Sequence, residues 1–402
     1  MKILLANKFF HLNGGSETVF FQEREFLNRK GYRIIDFSML DDRNLPSHYS
    51  HFFINKIDYQ QNLSLKDKIH QAVSFIHSDE AVRKLEQLIA LEKPDIAHLH
   101  NIYHQLTPSI IPVLKKHGVK IVTTLHDYKL ICPSYIALKN NNICEACQGR
   151  FFWKPFTSNC QNSYLQGLLL SLEAYWHKWT GSYNGVDLFL APSKFLASLI
   201  SKRISPDKIQ VLHNGIDADK YQATFSDHGY ALYFGRISKE KGIATLLQAH
   251  QQLSEKFPLK VVGTGPLEQE LKKSYPFAEY LGYQSGEALH TTIQNASFVV
   301  VPSEWYENCS MFVLESMAYG KPVIGSRIGG IPEQVEDGKT GLLFEMGSIQ
   351  NLKNKMATLI ENRALRLTMG KAAQNKLQNE YSNAQHNKKL LKLYSTVLSS
   401  VQ

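Results

Sequence analysis

Short apolar runs alternate with helix-patterned stretches along nearly the whole chain, and few folds accommodate that alternation. In the first half the runs fall at 3–6, 34–38, 96–100, 121–125, 188–191 and 210–213. In the second half they fall at 231–234, 260–262, 279–282, 298–301, 323–326 and 341–344. Such runs, separated by helical segments, read as strands of parallel sheets covered by helices. Each half supplies enough strands for a doubly wound sheet of its own. At 402 residues the chain is too long for one ordinary core, so an α/β protein of two domains is expected. The seam falls between Asp217 and Gly229, a polar stretch poor in apolar residues, and helical stretches at 349–380 and 382–400 follow.

Composition excludes several classes. With 43% hydrophobic and 20% charged residues and no low-complexity tract, the chain is globular and not disordered. No apolar run approaches the length that spans a bilayer, and MKILLANKFF reads as a first strand, not a signal peptide. A cytoplasmic location follows as an expectation, with the five cysteines reduced. The +9 net charge comes without a basic run or a nucleic-acid-binding signature. An anionic substrate or an anionic membrane surface accounts for it at least as well.

The stretch 301–333, VPSEWYENCSMFVLESMAYGKPVIGSRIGGIPE, carries the densest chemistry. A strand broken by Pro302 leads through a polar turn into a helix from Ser310 to Tyr319, stopped at Gly320. A further strand runs into the tight turn at Gly329 and Gly330. Loops at the carboxyl ends of parallel strands are where ligands bind. A helix opening near Ser310 would aim free N–H groups at an anion such as a phosphate. Glu307 lies in the loop and Glu315 on the second helical turn, seven residues between them.

This whole string, with Glu307 and Glu315 in P-S-E-W-Y-E-N…L-E-S-M-A-Y-G-K-P-V-I…G-G-I-P-E, resembles the signature of the retaining glycosyltransferases of family 4. The resemblance implies the GT-B fold: two Rossmann-like domains facing across a cleft, with the last helix crossing back onto the first domain. The expected division is 1–217 for the acceptor-binding domain, with a cysteine-bearing insertion at 132–160. Residues 218–380 would form the nucleotide-sugar domain and 381–402 the returning helix.

Other loops fall into place beside it. After the first strand, Gly14 and Gly15 precede a helix and would let the backbone approach a ligand; a flexible turn is the plain reading, and the family sets this loop against donor phosphate and acceptor. Thr123-Thr124-Leu125-His126-Asp127 ends another strand, and the resemblance places His126 on the donor sugar while Asp127 caps the turn. Gly235-Arg236…Lys241-Gly242 resembles the diphosphate-binding pattern, with four residues between Arg236 and Lys241. Gly263-Thr264-Gly265 lacks the third glycine of a dinucleotide fingerprint, but in the family this loop lies by the nucleotide, and Tyr283 follows the next strand beside the base. His213-Asn214-Gly215-Ile216-Asp217 reads as a structural turn near the hinge.

Two features stand apart from that pattern. Cys132, Cys144, Cys147 and Cys160, with one C-x-x-C, are enough for a tetrahedral structural zinc; buried packing or a redox pair are the other readings, and Cys309 is read as a packing residue. Tyr164 to Thr180 repeats Leu165, Leu168, Leu169, Leu172, Tyr175, Trp176 and Trp179 at helical spacing. That pattern ordinarily marks a core helix, the alternative being a face for a lipid-linked acceptor or a bilayer.

The reading that follows is a retaining, metal-independent hexosyltransferase taking sugar from a UDP- or GDP-sugar. It would add the sugar to a saccharide or lipid-linked saccharide acceptor in cell-surface polysaccharide biosynthesis. The implied catalytic residues are Glu307, His126, Arg236 and Lys241. Donor binding would fall to Gly14, Gly15, Gly265, Tyr283, Ser310, Met311, Phe312 and Glu315. No catalytic cofactor and no nucleic acid are expected, and peripheral contact with the anionic inner membrane face is. A nucleotide-sugar 2-epimerase of the same fold is the alternative.

Overall fold

The computed structural model describes residues 1–57, 64–140, 142–225, 227–254 and 256–400; position 226 of the seam and 401–402 of the returning helix lie outside them. Two six-stranded sheets are formed, and every strand pair in them is parallel. Strands such as Lys2–Ala6, Ile96–Leu99, Ala231–Phe234 and Phe298–Val301 are buried almost throughout. Helices cover both faces of such sheets, so the strands read as unbroken apolar runs and not as alternating ones. Each expected run corresponds to a strand, with ends moved by a residue or two.

The first sheet pairs Arg33–Phe37, Lys2–Ala6, Ile96–Leu99, Lys120–Thr124, Leu188–Ala191 and Ile209–Val211 in that order. The second pairs Glu279–Gly282, Leu259–Val262, Ala231–Phe234, Phe298–Val301, Val323–Ser326 and Gly341–Phe344. In both, the strand order reverses beside the first strand of the domain, and such switch points open a crevice at the carboxyl ends. In the first domain that crevice is flanked by the loops after Ala6 and after Leu99. In the second it is flanked by the loops after Phe234 and after Val301.

The last helix, Asn383–Ser399, returns to the first domain. Its Leu390, Tyr394 and Val397 pack with Ile3, Leu5, Ile96, Val122 and Leu188 in one buried cluster. A parallel bridge between Ile216 and Ser382 ties the hinge to the start of this helix. Gly215 sits so close that a Cβ there would meet Asn383 Oδ1 at 2.5 Å. The turn expected to be structural therefore does have a packing role. These features make the GT-B fold.

The 132–180 region departs from the simple pattern. It holds a two-stranded antiparallel ribbon, Leu138–Lys139 with Asn142–Ile143, and the helix Tyr164–Trp179. That helix is not a core helix. It buries Gly167, Leu170, Ser171, Glu173 and His177 and turns Leu165, Leu168, Leu172, Trp176 and Trp179 outward. The reason is local: Gly167 lies against the Pro155 carbonyl, where a Cβ would come within 2.5 Å, and Glu173 is drawn inward by Lys129 at 2.6 Å.

Candidate active site

A cleft of about 590 Å³ opens between the two domains. From the first domain Gly15, His126 and Asp127 line it, and from the second Lys241, Glu307, Ser310 and Glu315. A second cavity of about 700 Å³, lined by Arg236, Gly263, Gly265 and Tyr283, shares Phe312 and Glu315 with the first. The two form one groove divided at Phe312. A larger hollow of about 970 Å³ lies elsewhere, between the Ile209–Val211 edge of the first sheet and the returning helix. None of the expected site residues lines that one.

Glu307 is the most tightly held group in the cleft. Its Oε1 accepts from Lys241 Nζ at 2.6 Å, Ser303 Oγ at 2.9 Å and Trp305 Nε1 at 2.9 Å. Burial alone would push the carboxyl up, but the Lys241 charge and these donors hold it below its ordinary value, so it is ionised. All three donors reach one oxygen, which leaves Oε2 without a protein donor among the described residues. Lys241 Nζ also lies 4.8 Å from the Trp305 ring centroid and 5.5 Å from that of Phe312. The loop carrying Glu307 is pinned from behind, where Gly330 N–H donates to the Glu307 carbonyl at 2.6 Å. A Cβ on Gly330 would fall 1.8 Å from the Asn308 carbonyl oxygen. A Cβ on Gly329 would likewise fall 2.4 Å from the Glu307 carbonyl oxygen, so both positions require glycine.

The helix Met311–Ala318 opens directly after this loop. Ser310 precedes it in an extended conformation and makes no side-chain cap, so the first-turn amides keep their positive end toward the cleft. Gln334 fixes Ser310 by accepting from its N–H at 2.9 Å and donating to its carbonyl at 3.0 Å. The buried Ser310 hydroxyl itself has no partner among the described residues. Glu315, one turn further, is raised to about 7 by burial alone. Among the described residues no donor reaches this carboxyl, and burial is the cause of its raised value.

Arg236 is exposed on the wall of the second cavity, while Lys241 is committed to Glu307. The glycines nearby are sterically required: Gly263 has φ 127 and a Cβ there would strike Gly235 O at 1.9 Å. Across the cleft, a Cβ on Gly15 would lie 3.7 Å from Met311 Cγ. Gly15 therefore faces the helix start on the opposite domain, while a Cβ on Gly14 would meet Glu17 of its own helix at 3.7 Å. Asp127 caps its own turn, accepting from Lys129 N at 2.9 Å, and also takes the Tyr103 hydroxyl at 2.5 Å.

His126 is half-buried at the cleft wall and belongs to a network that sequence reading missed. Its Nε2 meets His100 Nδ1 at 2.8 Å, and the two rings stack at 5.1 Å. His100 Nε2 stands 3.5 Å from Glu23, which is also reached by His98 at 3.2 Å and by His386 of the returning helix at 3.0 Å. Burial lowers His126 and His100, the latter to about 4, so both are neutral. Burial also acts on His386, but the bond to Glu23 outweighs it and raises this histidine. Burial would push Glu23 up as well, but His98, His100 and His386 hold it well below its ordinary value, so the carboxylate is the charged centre of this cluster. His98 lies in the strand Ile96–Leu99 and His100 just past its end, and that H-x-H spacing was the available signal. Among the described residues, the ligand atoms that converge within 4.8 Å belong to Glu23, His98 and His100. Both ring nitrogens of His98 are engaged, by Tyr394 at 2.7 Å and Thr124 at 2.7 Å, so the group reads as a hydrogen-bonded core.

The four cysteines of the insertion gather in one place as free thiols, Cys132 and Cys147 buried, Cys144 and Cys160 half-buried. Among the described residues no three of their sulfurs meet the 4.8 Å spacing. Cys132 Sγ instead contacts Ser134 Oγ at 3.1 Å, and Cys160 points to Lys154 O at 3.8 Å. Cys309 is buried against Asn214 and Gln334, as a packing residue.

Two sequence families divide the chain between them. The profile of "Glycosyltransferase Family 4" matches residues 13–220, and that of "Glycosyl transferases group 1" matches 217–376. An uncharacterized glycosyltransferase of Methanocaldococcus jannaschii is 28% identical over 292 residues, 71% of each chain. The lipopolysaccharide 1,2-N-acetylglucosaminetransferase of Salmonella typhimurium is 34% identical over 179 residues, 38% of this chain and 47% of that one. Among solved structures, Anabaena HepE in complex with UDP-glucose superposes with a TM-score of 0.66 at 17% identity. That superposition covers 98% of this chain and 100% of the other. With a family profile spanning more than half of its length and the GT-B fold over nearly all of it, the chain belongs to glycosyltransferase family 4.

Proposed function

We propose that this glycosyltransferase is a retaining, metal-independent enzyme that moves a hexose from a UDP- or GDP-sugar to a saccharide or lipid-linked saccharide acceptor. The observation that carries the reading is the groove itself: an uncapped helix N-terminus and the Lys241–Glu307 pair in one cavity, glycine-backed loops in the other, and the Glu315 carboxyl shared between the two. The chemical demand is departure of a nucleoside diphosphate. Arg236, Lys241 and the first-turn amides near Met311 and Phe312 would neutralise the charge growing on it. Glu315 would accept the ribose hydroxyls, and the loop through Gly265 and Tyr283 would hold the base. Glu307 would receive the donor sugar on Oε2, and His126 would meet that sugar from the other domain. Gly14 and Gly15 would bring backbone against the diphosphate. Cationic residues and helix amides supply what a divalent metal would otherwise supply.

Relatives support the acceptor class, since the Salmonella protein is named for lipopolysaccharide. The 2-epimerase reading is not favoured by relatives that are transferases. A zinc on Cys132, Cys144, Cys147 and Cys160 stays a proposal that requires the sulfurs to close on the ion; elemental analysis of the purified protein decides it. The test of the main reading is calorimetry with UDP, GDP, ADP and NAD. Stabilisation by one nucleoside diphosphate, lost in Arg236→Ala together with about 10² to 10³ in transfer rate, is the expected result. Binding of NAD alone, or normal turnover by the folded Arg236→Ala variant, would sink it.

A further inference from the structure

The largest unexplained feature of the surface is the outward face of the Tyr164–Trp179 helix. Leu165 is 80% exposed, Leu172 52%, Trp176 47% and Trp179 77%. Spaced by seven, four and three residues, they form one stripe along the helix. Phe151, Trp153 and Phe156, on the turns before the helix, are exposed as well, and Phe156 touches Tyr164 with ring centroids 6.0 Å apart. The neighbouring helix Leu65–Ile76 packs against this one and adds exposed Ile69 and Val73. A contiguous apolar face with this many aromatic side chains is covered by something in the working protein.

Charge selects the occupant. Between positions 146 and 180 the only carboxylate is Glu173, which is fully buried and bonded to Lys129 at 2.6 Å. The same segment carries Arg150, Lys154 and Lys178. A groove of about 670 Å³ beside the stripe is lined by Arg150, Lys178, Lys202 and Arg203. Lys202 is paired with Glu145 at 2.8 Å and Arg203 donates to the Leu130 carbonyl at 2.5 Å, while Arg150 and Lys178 are exposed. On the neighbouring helix Lys66 and Lys68 are exposed on either side of the exposed Asp67, a net positive charge. A protein partner could meet the apolar stripe, but a surface of Trp, Tyr and Leu with cations in excess over acids beside it is the pattern of the bilayer interface. Rings there sit at headgroup depth while Lys and Arg reach anionic phosphates.

We infer that this face docks on an anionic lipid bilayer. The same insertion contributes Tyr135 and Ile136 to the cleft, so docking would bring the acceptor side of the cleft to the membrane. Its use for a lipid-linked acceptor rests on the proposed transferase function; the docking itself does not.

The test is flotation of the full chain with phosphatidylcholine vesicles, with and without phosphatidylglycerol. Binding to the anionic vesicles that weakens with salt is expected. In Trp176→Ser/Trp179→Ser the partition should fall at least about tenfold, and in Arg150→Glu/Lys178→Glu the preference for phosphatidylglycerol should vanish. Thermal stabilisation by the nucleoside diphosphate, read on the same samples, should be unchanged in both variants, which shows that they are folded. No flotation of the wild-type chain, or equal flotation of the Trp variant, overturns the inference. So does a dimer in solution that the Trp substitutions dissociate, since the face would then belong to a second copy. Vesicle binding without any nucleotide binding would leave the docking face standing and refute the transferase reading instead.

Discussion

Removing the Lys241 charge is the most informative perturbation of the site. Lys241 Nζ lies 2.6 Å from Glu307 Oε1, with side-chain exposures of only 14% and 10%. At an effective dielectric of about 20 the gross attraction at that distance is about 6 kcal/mol, and each ion gave up several kcal/mol of hydration to be there. Lys241→Met would leave the carboxylate buried and unpaired, a loss that typically costs 3–5 kcal/mol. Ser303 and Trp305 still donate to Oε1, so about 3 kcal/mol is the expected cost. For a domain of this size that is a fall of about 6–12 °C in melting temperature. The second variant, Lys241→Met/Glu307→Gln, removes the stranded charge and should recover most of the stability while remaining inactive.

The pH dependence has a definite sign. In the wild type Glu307 is held below its ordinary 4.5, so its contribution is present above that pH and lost as pH falls. Without Lys241 burial prevails and the carboxyl titrates above 4.5; its contribution is then full below 4.5 and lost as pH rises. The stability gap between wild type and Lys241→Met should therefore be small near pH 4.5 and widen toward pH 7, as read by calorimetric scans. An equal melting temperature at pH 7, a gap that does not shrink in acid, or a double variant as unstable as the single one would refute the pairing argument.

Two further outcomes follow from the same site. Glu315 is raised from 4.5 to about 7 by burial, a difference worth about 3 kcal/mol, so its contribution is full below 4.5 and lost as pH rises through 7. Glu315→Gln should thus leave the ligand-free protein up to about 3 kcal/mol more stable at pH 8 and unchanged near pH 4.5, while abolishing stabilisation by the nucleoside diphosphate. Gly330→Ala places a Cβ 1.8 Å from the Asn308 carbonyl oxygen and must shift the Glu307 loop. Transfer should drop by about 10² while nucleotide affinity, measured by calorimetry, stays within a few-fold because Glu315 and the Gly263–Gly265 loop are untouched.

The architecture was legible because strands buried on both faces are recorded as unbroken apolar runs, and no run was misplaced by more than a residue or two. The positions of Glu307 and Glu315 were legible too, since a strand end, a turn and a helix start are local. What those residues touch was not. Lys241 and Glu307 are 66 positions apart, and His386 reaches Glu23 across 363; nothing in either neighbourhood announces its partner. Gln334 and Asn308 were missed for the same reason: Gln334 holds Ser310, and Asn308 donates to the His126 carbonyl at 2.9 Å.

The Tyr164–Trp179 helix marks the boundary between the two kinds of information. Its sequence by itself determined a helix with an apolar stripe, just as the alternation of runs determined two parallel sheets and the glycine-backed loops determined where a ligand could enter. Tertiary structure alone decided which face of that helix is covered, which carboxylate is paired and ionised, and which is left proton-hungry at a cleft wall. Periodicity and turn chemistry act over a few neighbouring residues and are written in the sequence there. Burial and charge pairing depend on what arrives from elsewhere in the chain, here a Pro155 carbonyl against Gly167, Lys129 beneath Glu173 and Lys241 beside Glu307.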